Sequence, residues 1–163
     1  MTTVRFSQYQ FATLTRTTCI CTFAVLLLTG RFSTAEEWPQ FRGPTGDGIS
    51  TATHVPLKWS ATEHVVWKQA IPGSGWSSPV LSGGKLYLTS ATETGENTSL
   101  RALCLDAREG RVLWNVEVLQ PDAAAVKEHH PKNGVASPTP IVTPDRLYVH
   151  FGHLGTAALD LNG

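Results

Sequence analysis

The chain has 163 residues, with 13 basic and 13 acidic side chains and no net charge. Neither sign forms a long run, and nucleic-acid binding needs a basic stripe along the phosphates, so that partner is excluded. Gly, Pro, Ser and Thr punctuate short apolar runs, and no i, i+3, i+4 apolar pattern is sustained, which describes an all-β chain.

Residues 1–35 read as a targeting segment. Arg5 and Arg16 lie in a stretch without acids, residues 19–28 are apolar, and Ser33-Thr34-Ala35 supplies the small residues that a signal peptidase reads. The run is shorter than the roughly 20 apolar residues of a comfortable transmembrane helix. An uncleaved anchor is the competing reading. Cleavage after Ala35 would leave an exported chain, periplasmic or extracellular, with no transmembrane segment. Cys19 and Cys21 would leave with the leader. Cys104 would then stand alone, unable to form an internal disulfide, on the face of its strand opposite Leu103 and Leu105.

Residues 36–64 form a turn-rich opening segment. Trp38 and Phe41 are expected to lie across the surface of the folded body. Gly46-Asp47-Gly48 lacks the further oxygen ligands of a calcium loop. Residues 57–60 offer a short strand.

From residue 65 strands and turns alternate. Residues 65–71, carrying Trp67, read as a strand broken by Pro72-Gly73-Ser74-Gly75. Trp76-Ser77-Ser78-Pro79 leads into Val80-Leu81, Ser82-Gly83-Gly84-Lys85 is a hairpin turn, and residues 86–90 return. Residues 91–99 read as a polar loop. Within it Asn97-Thr98-Ser99 is a glycosylation sequon, relevant only in a host that glycosylates, and Glu93 and Glu96 lack an apolar setting. Leu103, Leu105 and Ala107 then alternate as a half-buried strand, Asp106 and Gly110 make a turn, and Val112 and Trp114 share one face of the next strand. Residues 122–128 are the single helix candidate.

The unit then repeats. Residues 134–142 restate the Trp76–Leu81 entry with Pro140 in the place of Pro79, and Leu147-Tyr148-Val149 restates Leu86-Tyr87-Leu88. Leu159-Asp160 with Gly163 restates Leu105-Asp106 with Gly110. The distance from Trp67 to Trp114 matches one four-stranded unit of roughly 40–50 residues.

Residues 105–114, Leu-Asp-Ala-Arg-Glu-Gly-Arg-Val-Leu-Trp, resemble the repeat of pyrroloquinoline quinone (PQQ)-type β-propellers, with Glu109 where Thr is usual. The opening Trp-Pro-Gln-Phe-Arg-Gly-Pro at residues 38–44 is similar to secreted bacterial members of that superfamily. The resemblance implies an all-β fold of four-stranded antiparallel blades over residues 65–163, about two blades of an incomplete propeller of about seven or eight. It gives Trp67, Asp106, Gly110, Trp114 and Asp160 as the structural repeat motif, each Trp docking against a Gly-bearing turn of the neighbouring blade.

Chemistry is sparse. His129-His130 and the pair His150 and His153 could ligate a metal only if a bend at Gly152 brought strand and loop together. Asp106 and Asp160 read as turn-formers. No nucleophile elbow, phosphate loop or paired carboxylates occur. Two functions follow from the resemblance. One is a non-catalytic module that binds or scaffolds a protein or cell-envelope component through its propeller loops, with no cofactor. The other is part of a quinoprotein dehydrogenase, holding PQQ with calcium and oxidising an alcohol or sugar. The absence of a vicinal cysteine pair after residue 35 and of Cys-x-x-Cys-His favours the first.

Overall fold

The structure, a computed structural model, describes residues 36–53, 55–128 and 132–163. The leader reading for residues 1–35 and the His129-His130 pair fall outside the described residues.

Two antiparallel sheets are built by chain-adjacent hairpins. The first contains β1 (Val80–Ser82), β2 (Lys85–Thr94), β3 (Asn97–Asp106) and β4 (Val112–Leu119), in that order. The second contains β5 (Ile141–Val142), β6 (Arg146–His150) and β7 (Thr156–Asp160). Between them runs α1 (Ala123–Lys127), capped by the Asp122 carboxylate, which accepts from the Ala125 N–H at 2.8 Å. Among the described residues no helix is long and apolar enough to cross a membrane.

Turn chemistry sets the hairpins. Gly83 and Gly84 both hold positive φ, +57° and +73°, as a two-residue turn matched to the strand twist requires. At the β3–β4 turn, Asp106 Oδ1 accepts from the N–H groups of Arg108 (2.9 Å) and Glu109 (2.8 Å), while Gly110 donates to the Asp106 carbonyl.

The register assigns the faces. Tyr87 opposes Cys104, Thr89 opposes Ala102 and Ala91 opposes Leu100, and this face of the first sheet packs on Val142, Leu147, Val149 and Phe151 of the second. That contact is the core, flanked by Trp114, Val116, Leu159 and Leu161. The reverse face of the first sheet, with Leu86, Leu88 and Leu105, lies beneath Trp67 and Ile71. The paired sheets with their repeated turns are β-propeller blades, not a closed barrel.

Three sequence expectations change. Residues 91–99 are not a loop: β2 and β3 run through them to a turn at Gly95-Glu96, with Thr94 opposite Asn97. Its threonines carry the β-branched bias of strands, and Gly95 takes φ +63°. Residues 57–60 form no strand, and residues 65–71 are extended without a ladder partner among the described residues. A strand is defined by its hydrogen-bonded neighbour, and neither stretch has one among the described residues.

The opening segment lies where the two sheets meet. Trp38 exchanges both main-chain hydrogen bonds with Leu81, at 2.8 and 2.9 Å, and the Pro39 carbonyl accepts from Val142 N–H at 2.9 Å. Two blades are thus stitched along their first strands. Trp38 is half-buried over Gly43, whereas Phe41 is 61% exposed. Glu36 ties down Ser50 and Thr51, and those hydrogen bonds lower its pKa.

Candidate functional site

The five repeat-motif residues occupy two equivalent places. Trp67 Nε1 donates to the Ala107 carbonyl at 3.1 Å, and its ring lies so close to Gly110 that a Cβ there would sit 2.4 Å from Cε3. Trp114 Nε1 donates to the Leu161 carbonyl at 3.2 Å, with its ring beneath Gly163. Each indole therefore satisfies its N–H on the carbonyl just after the turn aspartate, Asp106 or Asp160. Asp106 is engaged by its own turn, and Asp160 pairs with Arg146.

Other chemistry-bearing groups are spread out. Cys104 is fully buried, and burial pushes its thiol up to about 11. Its neighbour Tyr87 is raised to about 12, first by burial and then by the thiol. His150 Nδ1 lies 2.8 Å from Thr156 Oγ1, while His153 Nε2 donates to the Ala125 carbonyl at 2.8 Å. Gly152 does bend the chain, at φ +61°, yet the two imidazoles take separate partners. Glu93 and Glu96 are exposed at the far end of the β2–β3 hairpin.

A different feature gathers residues that the sequence read only as the entries to two repeated strands. The loop before β1 and the loop before β5 are clasped: Trp76 and Ser77 N–H both donate to the Ala136 carbonyl, at 2.9 and 3.2 Å, and Ser78 N–H donates to Thr139 Oγ1. Gly75 makes the close approach possible, since a Cβ there would lie 2.8 Å from the Thr89 carbonyl. The clasp holds Trp76 at the surface, 74% exposed, with its ring edge against Gly134. Beside it opens a cleft of about 230 Å³ whose lining includes Gly134, Ser137, Phe151, His153 and Glu128. Ser137 Oγ donates to the Gly134 carbonyl at 2.6 Å and firms the rim. The one available signal was a tryptophan among Gly and Ser in a loop, where no strand pattern accounts for it.

The cleft has the makings of a recognition surface: a fixed aromatic, an apolar floor and a few polar groups. It does not fit a calcium-bound quinone. Calcium takes about 6–8 oxygen ligands, and Glu128 is the sole carboxylate lining the cleft. Among the described residues no three His, Cys, Asp or Glu side chains converge on a metal position.

Two stacked blades, each closed by an indole under a glycine turn, define a β-propeller repeat protein. Residues 51–163 match the family model described as outer membrane protein assembly factor BamB, and the chain belongs to this family of PQQ-like repeat proteins. None of the curated proteins matches the chain.

Proposed function

We propose that the chain is an extracytoplasmic, non-catalytic propeller module that binds a protein of the cell envelope through the loops around Trp76. The observation that carries this reading is the clasp: an exposed tryptophan held by main-chain hydrogen bonds beside an apolar cleft. Exposed aromatics on a rigid support bind at little entropic cost and dominate interface energetics. The family description, an outer-membrane assembly factor, supports the same class of partner and an exported location. Residues 1–35 act as the leader, with cleavage after Ala35, residues 36–64 as the opening segment and residues 65–163 as the repeats.

The test is chemical cross-linking of the full chain within the envelope fraction of its own cells, compared with Trp76→Ala. We expect discrete adducts that weaken at least fivefold in the variant while its melting behaviour stays unchanged. Stoichiometric binding of PQQ with calcium, followed by alcohol- or sugar-dependent dye reduction, overturns the reading in favour of a dehydrogenase. An N-terminus at Met1 in the exported protein would replace the cleaved leader by an anchor.

A further inference from the structure

The chain has four asparagines, Asn97, Asn115, Asn133 and Asn162. The side-chain amide of an asparagine is open to attack by the main-chain nitrogen of the next residue, provided that nitrogen is unengaged and the next residue is small. The fold suppresses this reaction at three of the four. Asn97 and Asn115 lie in β3 and β4, on paired extended main chain, and each precedes a stiff β-branched residue, Thr98 or Val116. Asn115 is held further by Arg101, whose Nε donates to Oδ1 at 2.7 Å. Asn162 precedes a glycine, yet the Gly163 N–H donates to the Asp160 carbonyl at 3.0 Å, and Lys85 Nζ lies 3.5 Å from Asn162 Oδ1.

Asn133 also precedes a glycine, and it is exposed, outside every strand and helix. Among the described residues neither its side chain nor the Gly134 N–H makes a hydrogen bond. Gly134 is also the residue on which the Trp76 rim rests. A Cβ there would lie 3.0 Å from Trp76 Cδ1, and its carbonyl accepts from Ser137 Oγ at 2.6 Å. Two residues further on, the Ala136 carbonyl closes the clasp on Trp76 and Ser77.

We infer that Asn133 is a self-modification site whose conversion opens the Trp76 clasp. The Gly134 main-chain nitrogen gives up its proton and bonds to the side-chain carbonyl carbon of Asn133. The carbon–nitrogen bond of the side-chain amide breaks, and ammonia leaves with that proton. The cyclic imide then takes up one water at either carbonyl. One product is aspartate; the other is isoaspartate, in which the main chain runs through the former side chain. Nothing is oxidised or reduced, and water is the only co-reactant. Both products place a new carboxylate on the rim. Isoaspartate also lengthens the main chain by one atom immediately before Gly134. A glycine packed against an indole cannot absorb that extra length in place, so the ring edge, the Ser137 bond and the Ala136 carbonyl shift together. This holds whatever Trp76 receives.

The test follows both asparagine–glycine pairs in one chain. The full chain is incubated at mildly alkaline pH, native and in urea, then digested for peptide mass analysis. In the native chain the Asn133 peptide should show the mass gain of an amide becoming an acid, and divide into aspartate and isoaspartate forms. That conversion should run at least tenfold faster than at Asn162. In urea the two pairs should convert within about threefold of each other, because the fold imposes the contrast. Hydrogen exchange of the converted native chain should quicken at least tenfold at the Trp76 and Ser77 amides, with β2 and β3 unchanged. Asn133→Gln, incubated in parallel, should keep the protection of the parent. Asn162 converting as fast as Asn133 in the native chain overturns the inference, as does a tenfold contrast that persists in urea. So does full conversion at residue 133 that leaves Trp76 and Ser77 protected.

Discussion

Trp114 and Leu161 meet across the gap between the two sheets, the indole N–H on the main-chain oxygen at 3.2 Å. Trp67 and Ala107 meet in the same way at 3.1 Å. Burying an indole removes a large apolar area from water, but its N–H must find an acceptor. The turn supplies a carbonyl for the N–H, and its glycine admits the ring. One device therefore joins each strand-four tryptophan to the sheet that follows it.

Gly110→Ala is expected to be far more damaging than Gly83→Ala. Both glycines have positive φ, at +73° and +57°, so alanine costs about 1–2 kcal/mol of backbone strain at either site. At Gly110 the new methyl group would also strike the Trp67 ring at 2.4 Å, whereas nothing lies within 4 Å at Gly83. Urea melts of the two variants should separate clearly. Equal midpoints would show that Trp67 does not sit beneath the turn.

Trp114→Ala should cost at the lower end of the roughly 3–5 kcal/mol for losing a large aromatic, because the ring is half-buried and also contacts Tyr87 at a 6.0 Å centroid distance. Glu109→Ala, at an exposed turn position, should stay within about 0.5 kcal/mol of the parent. Comparable losses in denaturant melts would contradict the packing described for Trp114.

Stability should fall in alkali. Cys104 titrates at about 11 in the fold against an ordinary 9.0, and Tyr87 at about 12 against 10.0. Both groups are neutral when protonated, so the fold holds the proton more tightly than the unfolded chain does. Their contribution is complete below pH 9 and is lost as pH rises from there through about 11 to 12. Melts across that window should show a decline that Cys104→Ala reduces. Near neutral pH the native thiol should react with a disulfide reagent only after unfolding; fast labelling of native protein would place Cys104 at the surface.

Most of the blade pattern was legible because alternation and turn residues are local signals. Gly83-Gly84, Asp106 with Gly110, and the restated Leu-Tyr-Val of β6 could each be read without a partner strand in view. Residues 91–99 were hidden by their polarity: past Ala91, which packs in the core, the hairpin keeps its ladder with threonines and glutamates in place of an apolar run. Residues 65–71 erred in the opposite sense, with a strand pattern and no hydrogen-bonded partner strand among the described residues. The Trp76 rim was out of reach because it depends on main-chain hydrogen bonds between loops some 60 residues apart, a separation at which local patterning carries no signal.

The central claim, that the two sheets form one repeat stack locked by Trp114, is tested most directly by hydrogen exchange of the parent and Trp114→Ala chains. The account predicts that the variant loses protection in β4 and equally in β5, β6 and β7, across the sheet boundary. Loss confined to β4, with β5 to β7 protected as before, would contradict it.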